Sequence, residues 1–284
     1  MSFINGYGRG DFGGTAPSEH EPMRRHLKIL LIYYRASLLA QMEYRANFGA
    51  SLVLSLLWPC WIVSLLSVFF YHTSNLGGWS FYEAMMVLGM YDIFIGLQET
   101  ILAPNLQQLT EHIQKGTLDF VLLKPANGQF LATITACNLT RLFDVAIGFG
   151  MVIVGLYRLG RVPSGLELAA FAVMLPAGMV IVYSVWLLAT SMAFWFVRID
   201  NFGELFYAFY ETGRFPVTVY RPWLRLILTY VIPIAFLTTF PAATLLGRNS
   251  PYIVAGSAAI AAALFYVSHR FWNYAIRFYS SASS

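Results

Sequence analysis

The stretch FGASLVLSLLWPCWIVSLLSVFFY, residues 48–71, contains no charged side chain. A helix needs about 20 apolar residues to cross the hydrocarbon core of a bilayer, so this stretch predicts a transmembrane span. Five further apolar stretches predict spans in the same way. They lie at about residues 81–103, 129–156, 166–197, 223–246 and 251–272. The sequence therefore predicts an all-α polytopic membrane protein with six transmembrane helices.

The composition supports a membrane protein. Of the 284 residues, 58% are hydrophobic and 11% are charged, whereas soluble domains carry about 25% charged residues. The net charge is +4, but no basic run exceeds two residues, so we expect no nucleic-acid partner. Cys60 and Cys137 lie in apolar stretches and are expected to be buried thiols. The histidines lack metal-ligand spacing and no catalytic constellation stands out, so we expect neither a metal site nor an enzyme.

The distribution of basic residues predicts the orientation. With a cytoplasmic N-terminus, 13 Lys and Arg residues flank the inner ends of the spans and 3 lie in the outer loops. Basic residues concentrate on the cytoplasmic side of membrane proteins. Both termini are therefore expected to be cytoplasmic, as polar tails at 1–22 and 277–284 on either side of the membrane domain, 47–276. The longer connections 104–128 and 198–222 are expected on the inner side.

Residues 23–46 predict an amphipathic helix in the membrane interface. Its apolar side chains recur at helical spacing and its basic side chains lie on another side. The apolar positions are Leu27, Leu31, Tyr34, Leu38 and Met42. Two interpretations are open for this helix: a simple anchor, which we favour from the residues alone, or an elbow that passes motion to the first span.

The segment 104–128 predicts a short cytoplasmic helix between the second and third spans. Leu106, Leu109 and Ile113 form an apolar stripe. Gly116 suits a left-handed residue that ends the helix, and Pro125 stops any continuation. The residues alone leave two roles open: packing on headgroups, or transmitting force from a soluble partner.

Four ionisable residues fall within predicted spans, where charges are costly and usually functional. They are Asp92, Glu99, Arg141 and Asp144. One interpretation is a polar lining of a translocation path or a proton relay. The other, which we favour from the residues alone, is an ion-pair cluster that fixes helix packing. Prolines within spans remove backbone hydrogen bonds and favour kinks. They are Pro59, Pro176, Pro233 and Pro241.

Two motifs carry a resemblance to a known family. The run IQKGTLDFVLLKP, residues 113–125, resembles the "I-x-x-G-x-L-D-x-x-L-L-K-P" signature of ABC-2-type ABC transporter permeases. A second set resembles the later signature of that family. It comprises PVTVY at 216–220, LR at 224–225, IPIAF at 232–236 and FPA at 240–242. The resemblance covers about residues 23–276.

The resemblance implies a function and partners. Members of the family are membrane subunits of bacterial ABC exporters in the inner membrane. Two permease chains, identical or different, form the pathway, and a separate ATPase subunit binds ATP and Mg²⁺. This chain has no P-loop, G-x-x-x-x-G-K-[ST], so it binds neither cofactor itself. The resemblance makes about Leu106–Lys115 the coupling helix and favours the force-transmitting interpretation. The implied ATPase-coupling residues are Leu109, Glu111, His112, Gln114, Lys115, Gly116 and Asp119.

Two other functions compete with the permease. An ion-driven secondary carrier would use Asp92, Glu99 and Asp144, although no internal repeat typical of such carriers is evident. A membrane-embedded enzyme would need a clustered catalytic set near one interface, and the sequence shows none.

Overall fold

The computed structural model of the chain describes Tyr34, Arg35, Ser37, Leu39 and residues 45–118, 136–195 and 207–279. Apart from one β-bridge between Leu76 and Trp79, the regular structure of these residues is helical. Five helices are long and apolar enough to cross a membrane, and a bent helix pair makes a sixth candidate. The predicted tail 1–22 and most of the interfacial helix 23–46 lie outside the described residues.

The first helix, α1 (Arg45–His72), matches the first predicted span. It runs without a break through Pro59, which is buried. Most of its bulky apolar side chains are exposed, including Trp58 (54%) and Trp61 (64%). An apolar face of this kind is stable against lipid or against another protein chain, but not in water.

The second span continues far beyond its predicted end. Helix α2 (Phe81–Leu97) passes through a π-helical segment (Gln98–Leu102) directly into α3 (Ala103–Gln114). The resulting helix has 34 residues, or about 51 Å at 1.5 Å per residue. A hydrocarbon core is about 30 Å thick, so the helix outreaches it. The sequence predicts a separate helix after residue 103; the structure instead joins α3 to the span without a loop.

Helix α4 (Leu142–Arg158) returns antiparallel to α2 and packs against it more closely than side chains would permit. Glycine makes this possible. A Cβ at Gly89 would lie 2.7 Å from the carbonyl oxygen of Gly148, and a Cβ at Gly96 would lie 2.9 Å from that of Arg141. Small residues allow such backbone contact between membrane helices. The described part of the third span starts with a 3₁₀ turn at Leu139 that leads into α4, and residues 129–135 of the predicted span lie outside the described residues.

This contact gives a testable prediction. Gly148→Ala is expected to push α4 off α2, and overpacking of this kind costs about 1–3 kcal/mol, or roughly 3–10 °C in melting temperature. Gly150→Ala is the matched control, because a Cβ at Gly150 meets nothing within 4 Å. Thermal unfolding of both variants in detergent measures the difference. Equal melting temperatures would contradict backbone contact between α2 and α4.

Two long helices complete the continuous spans. Helix α5 (Gly165–Ser191) starts at a capping box in which Ser164 and Glu167 satisfy each other's backbone N–H groups. Helix α8 (Pro251–Ala275) packs along it. Between them lie the two short helices of the bent pair, α6 (Pro222–Leu226) and α7 (Thr239–Leu245).

The helix ends define two ends of the bundle. At one end the Arg248 guanidinium donates to Glu83 and to the carbonyl of Gly78. We call this the Trp79 end; it comprises residues 73–80, 159–164 and 246–250. At the other end the amide of Leu118 donates to the Tyr279 hydroxyl at 3.0 Å. We call this the α3 end; it comprises residues 115–118 and 276–279.

The segment before α6 corrects the predicted topology. Tyr207 lies beside Glu99, well along the second span, whereas Thr218 bonds Trp79 and Gly77 at the Trp79 end. The chain therefore rises towards the Trp79 end between residues 207 and 218. The sequence predicts an inner connection over 198–222. Arg214 and its ion-pair partner Glu211 lower the hydropathy of this segment, although the Arg214 side chain is only 14% exposed. A charged side chain that faces protein is tolerated within a membrane bundle.

The predicted fifth span is a re-entrant hairpin. Its limbs, Pro222–Val231 and Ile234–Leu245, meet at 72°. The first limb starts just after Thr218, and the second ends just before Arg248, so both begin and end at the Trp79 end. Leu237 near the tip packs beside Gly178, thirteen residues into α5, or about 20 Å from the Trp79 end. The hairpin thus reaches the middle of the bundle and turns back.

Cysteine labelling tests this correction. In a Cys60→Ser/Cys137→Ser background, Arg221→Cys and Asn249→Cys are expected to react with a membrane-impermeant maleimide from the same side. Gln108→Cys, near the α3 end, is expected to react from the opposite side only. A continuous fifth span would place Arg221 and Asn249 on opposite sides, so labelling of Arg221→Cys together with Gln108→Cys would overturn the hairpin.

Candidate functional site

A cavity of about 520 Å³ opens on the face of α1, at mid-depth in the bundle. Its walls come from α1, α2, the start of α4 and the 3₁₀ turn Thr212–Arg214. The lining combines aromatic and aliphatic side chains with four charged ones. The lining residues are Leu54, Ser55, Leu57, Trp58, Pro59, Trp61, Tyr91, Asp92, Ile95, Arg141, Asp144 and Arg214.

Three of the four predicted intramembrane charges meet at this cavity. Asp92 lies in the middle of α2 and is only 6% exposed. Its Oδ2 atom has no hydrogen-bond partner among the described residues. Arg141 and Asp144, one turn apart at the start of α4, form an ion pair with a 3.4 Å separation. Burying a carboxylate oxygen without a hydrogen bond is costly, and ionisable residues within spans are candidate functional residues. Asp92 is therefore a candidate site residue.

Arg214 is the residue that sequence reasoning missed. Its Nη2 donates to Glu211 Oε1 at 2.9 Å. Its guanidinium carbon lies 5.3 Å from the Trp58 ring centroid and 5.1 Å from that of Tyr91, both within cation–π range. The sequence assigns Arg214 to a loop, and only its spacing of three from Glu211 hints at a fixed helical pair. Arg214 instead forms the cationic wall opposite Asp92.

Glu99 does not join the cavity. Its Oε1 accepts a hydrogen bond of 2.6 Å from the Tyr207 hydroxyl. The Tyr207 ring lies edge-on to Trp186, with centroids 5.6 Å apart. Glu99 therefore belongs to a separate polar contact, between the π-helical segment and the helix at 207–211.

Helix α3 has one buried and one exposed face. Leu106, Leu109 and Ile113 are buried against the bundle, as the stripe predicts. The exposed face carries three polar side chains that follow one another at intervals of one turn: Gln107, Glu111 and Lys115. Lys115 Nζ forms an ion pair with Glu111 Oε2 at 2.7 Å. These polar side chains of α3 contact no other helix through a hydrogen bond or ion pair in the described residues.

The end of α3 is rigidly fixed. Gly116 is left-handed, with φ of +66°, as predicted. The amides of Thr117 and Gly116 bond the carbonyls of His112 and Ile113, which completes a Schellman motif. His112 Nδ1 also lies 2.9 Å from the Thr117 hydroxyl. Gln114 is exposed, and Asp119 lies outside the described residues.

Comparison with known families agrees with this architecture. The family model for the ABC-2 family transporter protein matches residues 56–283. The chain belongs to the ABC-2 transporter family. No curated protein matches the sequence. The match, together with the apolar helices, makes the chain a multi-pass membrane permease of an ABC transporter.

The prolines of the permease differ in their surroundings. Pro59 and Pro176 lie inside the uninterrupted helices α1 and α5. Pro233 stands at the break between the hairpin limbs, where the 72° bend occurs. Pro241 lies inside α7 and is buried. The backbone at the bend is also buried in protein, which is where a membrane protein tolerates irregular backbone.

The chemistry of the cavity is set by its charged and aromatic side chains. Within the described residues, no group of three or more His, Cys, Asp or Glu side chains could hold a metal ion. The charged groups comprise two carboxylates and two guanidiniums beside aromatic walls. Such a lining accommodates a molecule that has an apolar body and polar groups.

Proposed function

We propose that this permease and a second permease chain, identical or different, form the translocation path of an ATP-driven exporter. The observation that carries the proposal is the mid-depth cavity. Its lining contains Arg214 and the Asp92 carboxylate, whose Oδ2 atom accepts no hydrogen bond among the described residues. Charged groups at this depth are retained for transport more often than for stability. The cavity opens on the exposed face of α1, so a second chain packed there would enclose it.

Energy is proposed to come from a separate ATPase subunit that binds ATP and Mg²⁺. Helix α3 supports this role, because it outreaches the hydrocarbon core in line with the second span. A push on its exposed face reaches the span through continuous helix, without an intervening loop. The turn formed by His112, Gly116 and Thr117 stiffens the end of α3. The interfacial helix 23–46 would lie beside the same ATPase subunit.

The orientation follows from the corrected topology. Arg221 and Arg225 now fall at the Trp79 end and Arg214 falls inside the bundle. The chain has 18 Lys and Arg residues, of which Arg9 in the tail and Arg141 and Arg214 within the bundle are left out of the count. By sequence position, ten of the others lie on the α3 side and five lie at the Trp79 end. The excess still favours a cytoplasmic α3 end with both termini inside. We place the protein in the bacterial inner membrane on the strength of its family resemblance.

A pull-down tests the proposal directly. The tagged chain is purified in mild detergent from its native membrane and the co-purifying proteins are identified. We expect a stoichiometric ATPase that carries a P-loop; a second permease-like chain would show a heterodimer. A chain that purifies alone would contradict the proposal.

The unpartnered Asp92 favours one other candidate, an ion-driven secondary carrier. Such a carrier would load an ion at Asp92 and Asp144 and would need no ATPase. Glu99, which the sequence also offered for this role, lies outside the cavity. Uptake that follows a proton gradient in liposomes containing this chain alone would establish the carrier.

A further inference from the structure

The π-helical segment Gln98–Leu102 interrupts the helix that joins the cavity to α3. Such segments are uncommon inside α-helices and occur frequently at functional sites. Here the carbonyl of Thr100 accepts a hydrogen bond of 2.9 Å from the amide of Asn138, outside the helix. The segment can become α-helical only by turning the helix on one side of it, by about 100° per residue. A change of register in this segment would therefore turn α3 relative to α2.

Glu99, within this segment, makes a contact that lies outside the cavity lining. Its hydrogen bond from the Tyr207 hydroxyl measures 2.6 Å, in the range of the strong O–H bonds to carboxylates. The two residues are 108 positions apart in the chain. The edge-on packing of Tyr207 on Trp186 fixes the ring from the α5 side.

Tyr207 and Arg214 lie in one short helical segment. Residues 207–211 are helical and the 3₁₀ turn Thr212–Arg214 follows without a gap. Tyr210, which is 2% exposed, packs on Tyr91 with ring centroids 5.8 Å apart. Arg214 lies over the same Tyr91 ring. A displacement of Tyr207 therefore moves Arg214 relative to Asp92.

We propose that Glu99 and Tyr207 are positioning residues that form a latch between α3 and the wall of the cavity. When a partner shifts α3, the π-helical segment changes register and the Glu99–Tyr207 latch passes the shift to residues 207–214. The cavity then changes its charge arrangement. This inference rests on the proposed function, since it needs a partner that moves α3.

The test measures how nucleotide changes access to the cavity. The complex with its co-purified ATPase is prepared in a Cys60→Ser/Cys137→Ser background with Leu57→Cys in the cavity wall. Its reaction rate with a charged thiol reagent is measured without nucleotide and with a non-hydrolysable ATP analogue and Mg²⁺. We expect the rates to differ by about tenfold in the otherwise native complex. Tyr207→Phe is expected to reduce the difference to less than about twofold.

Two controls separate a latch from general damage. Tyr266→Phe removes the same hydroxyl from an exposed side chain of α8 and is expected to keep the full nucleotide response. Glu99→Leu is expected to act like Tyr207→Phe, and the double variant to be no worse than either one, since the two residues act as a pair. Glu99→Gln, which keeps an acceptor oxygen, is expected to restore part of the response.

The outcomes are distinct. A full response in Tyr207→Phe would overturn the latch while leaving the proposed function intact. Additive losses in the double variant would also overturn it. Equal rates with and without nucleotide in the otherwise native complex would leave no movement for the latch to carry, and would overturn it too. Failure to recover any ATPase would instead contradict the proposed function.

Discussion

Replacing Arg214 with leucine is expected to lower the melting temperature of the purified permease by roughly 7–20 °C, at about 2–4 °C per kcal/mol. The side chain makes cation–π contacts with Trp58 and Tyr91 and donates to Glu211. A desolvated cation–π contact contributes about 2 kcal/mol, and a hydrogen bond to a charged group about 1.5–3 kcal/mol. The variant also leaves two carboxylates, Asp92 and Asp144, with one guanidinium, Arg141, in the cavity lining, and a partly buried charge without a partner is costly.

A second substitution separates charge from packing. Asp92→Asn in the Arg214→Leu background removes the uncompensated carboxylate, so the double variant is expected to regain part of the lost stability. Arg225→Leu serves as the matched control, because Arg225 is exposed on the hairpin and forms no ion pair among the described residues. Thermal unfolding and ATP-driven transport are measured for each variant. An Arg214→Leu variant as stable and active as Arg225→Leu would show that the cavity is not the functional site.

Making the exposed face of α3 wholly cationic is expected to release the ATPase. Gln107→Arg with Glu111→Arg turns the stripe that ends at Lys115 wholly cationic, while the buried face of α3 is untouched. Juxtaposed charges that do not complement a partner cost several kcal/mol. We expect co-purification of the ATPase to fall at least about tenfold, which corresponds to about 1.4 kcal/mol.

The control for this variant adds cations at the opposite end. His72→Arg with Ser74→Arg modifies exposed positions at and beside the Trp79 end and is expected to leave ATPase recovery unchanged. The melting temperature of the permease itself should move little in either variant, since surface ion pairs contribute about 0–1 kcal/mol. Normal ATPase recovery with the cationic α3 would contradict its role in coupling.

The sequence predicts those parts of the fold in which the local pattern of apolar residues matches the surroundings of the helix in the structure. The apolar runs that form α1, α5 and α8 face lipid or protein along their whole length, so hydropathy identifies them. The stripe of Leu106, Leu109 and Ile113 likewise shows which face of α3 is buried. Gly116 signals its left-handed turn because few other residues adopt that conformation.

The failures have one physical origin: hydropathy cannot tell lipid from protein surroundings. Residues 222–245 are apolar enough for a span but turn back at Pro233. The largely buried Arg214 and its ion-pair partner Glu211 lower the hydropathy of residues 207–218, so hydropathy misses the rise of the chain there. The cavity was only partly predictable for the same reason. Asp92, Arg141 and Asp144 stand out as charges in apolar runs, but their meeting with Arg214 depends on tertiary contacts. The π-helical segment has no local sequence signal that we recognise.

The backbone contact between α2 and α4 has a mechanical consequence. Since Gly89 rests on Gly148 and Gly96 on Arg141, these helices cannot slide past one another without leaving contact. We therefore expect Asp92, Arg141 and Asp144 to keep their relative positions as one rigid body. Arg214 and Trp58 lie on other elements, so we expect them to be the walls of the cavity that move. We therefore expect changes in the affinity of the cavity for its ligand to arise from Arg214 and Trp58, while the positions of Asp92, Arg141 and Asp144 stay fixed.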